Sequence, residues 1–470
     1  FLRRNLPVKF VASYDVGHAG FLVGSLSKSR TLADILAEQS DRSEQRRPAV
    51  VYQLWQQTRR QLNQLPQLAQ LASRVDFPLQ LVLARMEERG VLADQAQLAR
   101  LRQKLGDSLA LLEQAIWREV GYEFNVASPA QLSEALFTKL ALKPTARKNK
   151  RGSYPTGVKE LAKLRSAHPV IDLIIKYREL AKLKTGYADT LPKLIAPDGR
   201  IHTTFSQSIT ATGRLSSSNP NMQNIPARTE QGREIKRAFI APAGRVLVNA
   251  DYAQFELRLA AALAGDQALI RVFDDPTNDV HIMTAAEAYG VTPAEVTPEQ
   301  RRHAKVINFG ILYGMSPHGL AEATDMNLSE AREFIDKYFQ ARRPIRDYQA
   351  KVIEQAKEDG YVQTLLGRRR PVPGLRSSNT MVREATKRAA INLPVQGTEA
   401  DLMKMAMLKV EEIAGASQIM QVHDSIMVEC DEAEAERIAS EMKQIMEQIY
   451  PELGVRLLVE TKIGHDWSQL

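Results

Sequence analysis

The hydrophobic pattern divides the chain into a helical first part and a mixed second part. Before residue 200, apolar side chains recur at three- and four-residue spacing, as in "FPLQLVLARMEERGVLADQAQLARLRQKL", which is typical of helices that pack on a core. Gly90 is placed to end the first helix of this stretch, and Asp94 with Gln97 forms a capping-box pattern for the second. Ser128 followed by Pro129 is a further helix start. The pattern predicts a helical region in the first part of the chain.

Beyond residue 200, short strand-like runs alternate with helices. The run "GRVLVNAD" predicts a buried strand, and "YAQFELRLAAALAG" predicts a helix that Gly265 closes. A mostly helical stretch follows over 266–365, and strand-like runs return at "QIMQVH", "IMVEC" and "VRLLVETKI". We therefore expect an α+β protein in which a helical insertion interrupts a sheet domain. Within it, "QVHDSIMVEC" predicts a hairpin with Asp424 at its turn.

Composition and charge narrow the class of protein. The 470 residues suffice for several domains, and no run of about 18 apolar residues predicts a membrane span. The single cysteine, Cys430, excludes disulfides within the chain and a thiolate metal cluster, which fits a reducing, intracellular setting. The 63 Lys and Arg against 55 Asp and Glu give a net charge of +8, which suits a polyanionic partner. No signal-peptide pattern is present, and the opening at Phe1 without Met leaves open that the chain is a fragment.

A basic loop interrupts the helical first part. The loop "KPTARKNKRGSYPTG" holds five cations between glycines and prolines: Lys143, Arg147, Lys148, Lys150 and Arg151. Such a run is usually a solvated loop. At the edge of a groove, the same charges would follow a phosphate backbone by displacing its counterions. The residues alone leave both interpretations open.

Two aspartates follow strand-like runs that are far apart in the chain. Asp251 ends the run "RVLVNA", and Asp424 lies between the apolar runs of the predicted hairpin. Each has a structural alternative, because Asp caps helices and forms turns. Two carboxylates held by different strands also suit a pair of Mg²⁺ ions, which take few protein carboxylates and complete their shells with waters and substrate phosphates. Two ions about 3.5–4 Å apart can stabilise the attacking and leaving oxygens of a phosphoryl transfer.

The segment "RRHAKVINFGILYGM" predicts a helix with functional side chains at every fourth position. These side chains are Arg301, Lys305, Phe309 and Tyr313. The cations suit phosphate oxygens or a leaving pyrophosphate, and the aromatic rings suit a sugar or base face. Gly310 and Gly314 each cost a helix about 1 kcal/mol relative to Ala, which indicates close approach of a ligand or backbone. An amphipathic helix with a basic end is the alternative.

Together these segments resemble the family A DNA polymerases, the group of bacterial DNA polymerase I. The stretches "DYAQFELR", "RRHAKVINFGILYG" and "QVHDS" are similar to motifs A, B and C of that family, in the family's order. Three more stretches resemble its other signatures: "TATGRLSSSNPNMQNIP", "VQTLLGRRRPVPG" and "RAAINLPVQGTEADLMKMAM". The resemblance runs from about Phe77 to Leu470, and six motifs in order make it specific.

The resemblance implies a right-hand polymerase fold within the α+β class. It has a palm sheet, helical fingers and a helical thumb, preceded by a remnant of a 3′–5′ exonuclease-like domain. The implied bounds are 1–76 for the partial exonuclease-like segment, 77–200 for the thumb, 201–265 for the first part of the palm with motif A, 266–365 for the fingers with motif B, and 366–470 for the second part of the palm with motif C. This division agrees with the interrupted sheet domain.

The resemblance also implies the reaction. A primer 3′-hydroxyl attacks the α-phosphate of a template-selected dNTP, and pyrophosphate leaves. Asp251 and Asp424 match the two metal-binding aspartates, and the backbone carbonyl of Tyr252 is an expected further ligand. The implied cofactor is a pair of Mg²⁺ ions, with Mn²⁺ as an expected substitute. Lys305 matches the lysine that contacts the triphosphate and protonates the leaving pyrophosphate.

Further positions match the family's nucleotide and DNA contacts. The implied dNTP contacts are Arg301, Lys305, Phe309, Tyr313, His281, Gln254 and Glu256. Glu256 crowds the 2′ position and, with Tyr313, excludes ribonucleotides, whereas Phe at position 309 goes with discrimination against dideoxynucleotides. The implied primer–template contacts are Arg214, Arg388, Asn392, Gln396 and His423, with Lys148, Lys150 and Arg151 of the basic loop. Polar contacts in the minor groove test the shape of a base pair without reading its sequence.

Two features depart from the family pattern. The segment "FVASYDVGHAGFLVGSLSKSRTLADIL" faintly resembles the late part of the exonuclease-like domain, and Asp15 aligns with one of its acids. The earlier Asp-x-Glu strand and the later acid are missing, so we expect no proofreading and no 5′ nuclease. Ser425 stands where motif C usually has Glu. Glu429 is a poor substitute, because four residues of strand span roughly 13 Å, and we expect activity with altered metal preference, rate or fidelity.

Three rival functions are considered. They are a primer–template-binding homologue with little or no catalysis, a metal-dependent nuclease or phosphatase, and a polymerase used mainly as a reverse transcriptase. Retention of both aspartates and both helix cations argues against the first, and a nuclease has no use for the helix stripe or Glu256. The expected partners are primer–template DNA and dNTPs, without a membrane. We expect a monomer in the cytoplasm of a bacterial or phage-infected cell, associated with the nucleoid.

Overall fold

The computed structural model describes residues 14–24, 47–149, 152–226, 229–275 and 277–470. They form two compact units, each assembled from separate segments. The first, here the sheet unit, comprises the residues up to Arg89, Thr203–Gln223 and Gly244–Ile463, and the second, here the helical unit, comprises Gly90–His202, Asn224–Ala243 and Gly464–Leu470. Helices and a four-stranded sheet are both present, which confirms the α+β class.

The elements up to residue 243 are mostly helical. In chain order they are α1 (Val16–Gly24), α2 (Arg47–Asn63), α3 (Pro66–Leu71), α4 (Phe77–Arg89), β1 (Val91–Leu92), α5 (Gln95–Val120), α6 (Pro129–Glu134), α7 (Val158–Ala162), α8 (Val170–Leu183), β2 (Arg200–Ile201), β3 (Thr204–Ser206), β4 (Ser216–Ser218) and α9 (Glu230–Arg237). Single π-helical turns at Ala72–Asp76, Ala135–Lys139 and Lys184–Ala188 and 3₁₀ turns at Leu191–Leu194 and Met222–Asn224 join some of them.

The elements from residue 244 onward alternate strands with a long helical insertion. They are β5 (Arg245–Tyr252), α10 (Phe255–Ala264), α11 (Gln267–Asp274), α12 (Val280–Tyr289), α13 (Pro298–Leu312), α14 (Pro317–Ala323), α15 (Leu328–Ala341), α16 (Arg343–Asp359), β6 (Tyr361–Gln363), β7 (Arg369–Pro371), α17 (Thr380–Val410), β8 (Ser417–Val422), β9 (Ser425–Asp431), α18 (Ala435–Glu447) and β10 (Val459–Gly464). Short 3₁₀ turns lie at Pro293–Glu295, Pro373–Arg376, Glu432–Glu434, Pro451–Leu453 and Trp467–Gln469. Among the described residues, no helix is both long and apolar enough to cross a membrane.

The predicted helix boundaries in the first part of the chain are confirmed. α4 ends at Arg89, and Gly90 follows with φ +61°, a conformation that suits glycine. The Asp94 carboxylate accepts a hydrogen bond from the backbone N–H of Gln97 at 2.9 Å and so begins α5. The other half of the predicted capping box does not form, because Gln97 Oε1 accepts from Arg100 Nη2 at 2.9 Å instead. Ser128 caps α6 with Pro129 at its first position. The helical unit buries an apolar core between α5, α6 and α8 that includes Ile116, Leu132, Ile171 and Ile174.

The main sheet has the strand order β10-β5-β9-β8. β9 pairs antiparallel with both β5 and β8, and its residues from Ser425 to Cys430 are all buried, as expected for a central strand covered on both faces. The last strand is shorter than predicted, because it begins only at Val459. The preceding residue bonds elsewhere: the carbonyl of Leu458 accepts a hydrogen bond from the N–H of Ala253, just beyond β5.

The helical insertion and its entry are confirmed. Helices α11 to α16 occupy the range from Gln267 to Asp359. Before them, α10 ends at Gly265, which has φ +65° and donates its N–H to the carbonyl of Ala262. The insertion therefore leaves the sheet after β5 and returns through the β6–β7 hairpin and α17, the long helix that leads to β8.

Four buried charges join the N-terminal helices of the sheet unit to α17. The Arg368 Nη2 atom donates to both carboxylate oxygens of Asp76 at 3.0 Å, and its Nε atom donates to Asp401 Oδ1 at 2.7 Å. The Lys404 Nζ atom donates to Asp76 Oδ1 at 2.7 Å. Burial alone would raise the pKa of Asp76, but the two cations hold it well below its usual range. Two cations face two anions, so the network is neutral, which makes its burial tolerable.

Candidate active site

Asp251 and Asp424 lie at adjoining ends of two antiparallel strands. The Cα partner of Asp251 across the ladder is Ser425, and Asp424 immediately precedes Ser425. The backbone N–H of Tyr252 donates to the carbonyl of Asp424 at 3.0 Å. The Tyr252 hydroxyl donates to the Met446 carbonyl at 2.7 Å, and burial raises the pKa of this phenol. The side chain of Tyr252 is thus committed to the core, and its backbone carbonyl is the group left for the predicted metal contact.

The predicted hairpin around Asp424 is confirmed. Val422 pairs with Ser425, so His423 and Asp424 form a two-residue turn. His423 has φ +54°, a left-handed conformation that costs a residue with a side chain about 1–2 kcal/mol. Two glutamines hold the turn: Gln421 Nε2 donates to the His423 carbonyl at 2.6 Å, and Gln223 Nε2 donates to the Gln421 carbonyl at 3.1 Å. These contacts stabilise the strained turn that presents Asp424.

Ser425 is a structural residue of the same turn. Its hydroxyl donates to the Val422 carbonyl at 3.0 Å, and the residue is only 9% exposed. Glu429, the next acid along β9, is buried and pairs with Arg245, with 2.9 Å between Oε1 and Nη1. The structure therefore engages Glu429 elsewhere, consistent with its being a poor substitute for an acid at position 425.

A carboxylate that our sequence analysis did not assign, Glu399, lies against Asp424. Glu399 is on α17, is 1% exposed and shares a hydrogen bond with Asp424. Burial, and then the charge of Asp424, raise the pKa of Glu399 well above its usual range, and burial raises the pKa of Asp424. Burial is the largest cause of both shifts, because it disfavours the charged form of a carboxyl group. Its spacing of seven residues from Asn392 is the sequence signal that could have found it.

Arg214 and Glu256 connect this carboxylate pair to helix α13. The Arg214 Nη2 atom donates to Glu399 Oε2 at 2.6 Å and to Glu256 Oε1 at 2.5 Å. Burial alone would lower the pKa of Arg214, but the Glu399 and Glu256 carboxylates raise it. The Tyr313 hydroxyl donates to Glu256 Oε2 at 2.7 Å, and Gln396 Nε2 donates to Glu256 Oε1 at 3.3 Å. The structure thus brings five of the predicted site residues into one hydrogen-bonded network with Glu399: Asp424, Arg214, Glu256, Tyr313 and Gln396.

The predicted stripe on α13 is exposed along one face of that helix. Lys305, Phe309 and Tyr313 are exposed and Arg301 is half-buried, whereas Ala304, Ile307 and Ile311 on the other side are buried. Gly310 and Gly314 do mark close approaches, but to side chains of the protein itself. A Cβ on Gly310 would lie 2.4 Å from the Met315 side chain, and one on Gly314 would lie 2.9 Å from Arg388.

Asp279 organises two of the predicted triphosphate contacts. It caps α12 by accepting from the N–H of His281 at 2.8 Å, and its other oxygen accepts from Arg301 Nη2 at 2.6 Å. Burial lowers the pKa of His281 to about 4. The amide of Asn308 donates to Nδ1 of His281 at 3.1 Å, so the neutral ring keeps its proton on Nε2. The His281 and Phe309 rings pack with centroids 5.8 Å apart. Neither Asp279 nor Asn308 was predicted as a site residue from the sequence.

The remaining predicted contacts lie on α17, at the start of α10 and in the basic loop. Arg388, Asn392 and Gln396 recur every four residues and so share one side of α17. Gln254 precedes α10 with φ +55°. In the helical unit, Lys148 is exposed, and its Nζ atom lies 5.2 Å from the ring centre of Tyr154. Lys150 and Arg151 lie outside the described residues.

The donor set around Asp424 fits a hard divalent cation. Asp251, Asp424 and Glu399 offer carboxylate oxygens, and the Tyr252 carbonyl is a further oxygen donor on the same strand end. Oxygen-only sets of this kind suit Mg²⁺, Mn²⁺ or Ca²⁺. Burial is the largest cause of the raised pKa values of Glu399 and Asp424, and a cation bound beside them would favour the ionised carboxylates.

Comparison with known proteins places this geometry in a family. Residues 95–469 match DNA polymerase family A. "DNA polymerase I, thermostable" of Thermus filiformis is 46% identical over 415 residues, which cover 87% of this chain and 50% of that protein. "DNA polymerase I" of Deinococcus radiodurans is 44% identical over 415 residues, which cover 86% of this chain and 43% of that protein. The chain thus spans about half the length of the curated relatives it matches.

A solved structure agrees with these relatives. The POL domain of Pol1 from M. smegmatis, in complex with DNA primer-template and dNTP, matches with a TM-score of 0.89 at 37% identity, over 97% of this chain and 82% of that chain. The agreement confirms the right-hand polymerase fold expected for the α+β chain. The family match, the identities and the shared fold lead to one conclusion: this chain belongs to DNA polymerase family A.

Proposed function

We propose that the chain is a template-directed DNA polymerase that adds dNTPs to a primer 3′-hydroxyl and releases pyrophosphate. The single observation that carries the proposal is the network around Asp424. It joins Asp424, through Glu399, Arg214 and Glu256, to Tyr313 at the end of the α13 stripe. The turn that holds Asp424 adjoins the end of β5 that holds Asp251. A site for the primer end and metal ions is thereby tied to a helix whose exposed face suits an incoming nucleotide.

Polymerases of this family use divalent metal ions. Two Mg²⁺ ions, for which Mn²⁺ would substitute, would be held by Asp251, Asp424 and the Tyr252 carbonyl, and when bound they stabilise charge on the attacking and leaving oxygens. Glu399 balances Arg214 beside them. Because it is buried and paired, we assign it a positioning role: it holds the Asp424 carboxylate and the Arg214 guanidinium in fixed orientations.

The α13 stripe and His281 would bind the triphosphate. Arg301 and Lys305 carry positive charge for the phosphate oxygens, and Lys305 would hold a proton for the leaving pyrophosphate. His281 is neutral at pH 7 because burial lowers its pKa to about 4, and Asn308 orients its Nε2–H as a hydrogen-bond donor. Phe309, against the His281 ring, would stack on the incoming sugar.

Glu256 would exclude ribonucleotides. Three donors, from Arg214, Tyr313 and Gln396, fix its carboxylate. A 2′-hydroxyl that reached this carboxylate would have to displace one of these hydrogen bonds or clash with the fixed group. Gln254, in the turn before α10, would contact the same nucleotide.

The primer–template would be held by side chains that tolerate any base sequence. We assign Arg388, Asn392 and Gln396 of α17, with Arg214, to the primer terminus and minor groove, and His423 to the primer end. Lys148, which is exposed, and Lys150 and Arg151 of the same basic loop would contact phosphates and make binding strongly salt-dependent. The domain bounds implied by the sequence, from the thumb at 77–200 to the palm at 366–470, are part of this proposal.

Primer extension on a DNA template with dNTPs and Mg²⁺ tests the proposal. The wild type should extend the primer, and Asp424→Asn should lower the rate at least about 100-fold while primer–template binding, measured by fluorescence anisotropy, is retained. Asp431→Asn is the matched control, since it removes an exposed carboxylate from the far end of β9, the strand that follows Asp424. No extension by the wild type, or equal rates for Asp424→Asn and Asp431→Asn, would refute the proposal.

The same assay separates the alternatives. A binding homologue without catalysis would show anisotropy changes and no extension. A polymerase used mainly for reverse transcription would extend faster on an RNA template than on DNA. We expect a monomer on primer–template DNA in the cytoplasm, associated with the nucleoid, and no proofreading; light scattering of the complex and loss of a mismatched primer end would test these expectations.

A further inference from the structure

Three possible metal ligands converge on a part of α13 that the polymerase site does not use. Glu299 and His303 lie one turn apart on α13, and Asp325 lies between α14 and α15. One donor atom from each residue lies within 4.8 Å of the other two. On α13, Glu299 and His303 are offset by two positions, about 200° around the helix axis, from Arg301 and Lys305. They therefore form a cluster separate from the nucleotide-facing side chains.

His303 has the burial and the hydrogen bonding of a metal-ligating histidine. The residue is 5% exposed, and its Nε2 atom has no hydrogen-bond partner. That atom lies 3.9 Å from Glu299 Oε1. The other ring nitrogen, Nδ1, lies 2.8 Å from the Tyr289 hydroxyl. A hydrogen bond from Nδ1–H to a neighbouring oxygen is the usual way to fix a ligating histidine with its Nε2 lone pair free.

The surroundings favour a cation. His303 and the two carboxylates open onto a cavity of about 330 Å³ lined by four acids, Glu299, Asp325, Glu330 and Glu333, and by one cation, Lys337. Lys337 pairs with Glu333 at 2.8 Å, and Arg302 pairs with Asp325. Two cations therefore face four carboxylates. Burial lowers the pKa of His303, which favours the neutral imidazole over the cation, and the neutral imidazole is the form that binds metals.

The three ligand atoms indicate which metal ion would bind at this site. One imidazole nitrogen with two carboxylate oxygens suits Zn²⁺ and neighbouring transition ions, whereas Mg²⁺ and Ca²⁺ take oxygen ligands. Zn–ligand distances of about 2.0–2.2 Å require the three donor atoms to draw together. The Glu299 carboxylate is 64% exposed and free to move, and Asp325 has a second oxygen beside the one that holds Arg302. Three protein ligands leave a position for water.

We propose that Glu299, His303 and Asp325 form a binding site for one divalent transition-metal ion, with Zn²⁺ as the preferred occupant and Tyr289 as the residue that orients His303. The bound ion joins α13 to the segment before α15. The helix that carries the candidate triphosphate contacts thereby gains a second attachment, on the side away from the nucleotide.

Zinc binding to the full chain tests the site. Metal-free protein is titrated with Zn²⁺ in competition with a chromophoric chelator, in excess Mg²⁺ so that oxygen-only sites are filled. Wild type should bind one Zn²⁺ that His303→Gln and Glu299→Gln bind at least about 10-fold more weakly. Tyr289→Phe should weaken binding about 10- to 100-fold, as outer-sphere changes do.

The chain offers a matched control. His318 and Glu322 form another histidine–glutamate pair one helical turn apart, with Nε2 and Oε1 3.7 Å apart, but this histidine is 78% exposed. His318→Gln should keep the Zn²⁺ affinity of the wild type. Because Glu299 is exposed, Glu299→Gln should unfold at the same temperature as the wild type when no metal is present. Zn²⁺ should raise the unfolding temperature of the wild type and of His318→Gln, but not that of Glu299→Gln.

The results that would overturn the site are equally defined. Equal Zn²⁺ stoichiometry and affinity in wild type, His303→Gln and Glu299→Gln would show that these residues hold no ion. An equal loss of affinity in His318→Gln would show nonspecific binding to histidine–glutamate pairs. None of these measurements depends on polymerase activity, so failure of the proposed function would leave the test of this site unaffected.

Discussion

Substitution of Asp76 should reveal how strongly the buried charge network holds α17 in place. The network contains Asp76, Arg368, Asp401 and Lys404, and Asp76 accepts hydrogen bonds from both cations at 2.7 to 3.0 Å. Asp76→Asn keeps the size of the side chain but leaves two buried cations facing one anion. Removing one partner of a buried pair typically costs about 3–5 kcal/mol, because the charge left behind remains desolvated. We expect a loss of this size in the unfolding free energy.

A double-mutant cycle separates charge balance from packing. Lys404→Met alone leaves two anions facing one cation and should cost a similar amount. The double variant again has one cation and one anion, so its loss should be about 2 kcal/mol or more smaller than the sum of the single losses. Urea unfolding followed by circular dichroism gives the free energies, and amide hydrogen exchange along α17 assigns the loss to this part of the chain.

An exposed ion pair provides the control. Glu441 pairs with Arg437 at 2.6 Å on the surface of α18, and Glu441→Gln should change the unfolding free energy by less than about 0.5 kcal/mol. If Asp76→Asn costs no more than this control, the buried pair is energetically unimportant. If the losses of Asp76→Asn and Lys404→Met simply add, charge balance is not the reason for the stability.

Three further outcomes follow from the site geometry. Tyr313→Phe removes a 2.7 Å hydrogen bond to Glu256, so primer extension should show discrimination against ribonucleotides reduced by about 10-fold. Glu256→Ala should reduce this discrimination further. Unchanged ratios of dNTP to rNTP incorporation would refute the proposal that Glu256 excludes ribonucleotides. Ser425→Glu places a buried carboxylate opposite Asp251 and removes the hydrogen bond to the Val422 carbonyl. Thermal unfolding without metal should therefore show a loss of about 1–3 kcal/mol in the free energy of unfolding, and Mg²⁺ or Mn²⁺ should reduce this loss. A loss that metal does not change would contradict this prediction. Burial lowers the pKa of His281 from about 6.5 in the unfolded chain to about 4 in the native chain. Between these two pH values the unfolded chain binds more protons, so the free energy of unfolding should fall as the pH drops, by at most about 1.4 kcal/mol per pH unit. His281→Gln should abolish this part of the pH dependence.

Local sequence signals predicted the boundaries that local interactions control. Gly90, Asp94 and Gly265 end or begin helices because φ, capping oxygens and backbone donors act within a few residues. The hairpin at Asp424 and the strand ending at Asp251 were also predicted correctly. The last strand was predicted too long, because Leu458 bonds to the backbone beyond β5, a partner that no local pattern reveals.

The residues of the candidate site also fall into those that local sequence signals predicted and those that they did not. Motif spacing indicated Asp251, Asp424 and the α13 stripe, because each motif is a continuous stretch with its own strand end or helix face. Glu399 was missed, since its role depends on its contacts with Asp424 and with Arg214, which lies 185 positions away in the chain. Asp279 was missed for a similar reason: its role depends on Arg301 in a different helix.

By itself, then, the sequence determined the elements, their caps, the family and the residues placed at strand ends and on helix faces, because these follow from backbone geometry and short-range spacing. Only the tertiary structure decided which charges are buried together. Asp76 and Arg368 are 292 positions apart, yet each is tolerable in the core only because the other is there. His303 is likewise an ordinary helical histidine until folding buries it and brings Asp325 beside it. A buried charged or metal-ligating side chain needs a nearby partner to offset its desolvation, and only the tertiary structure determines which residue that partner is.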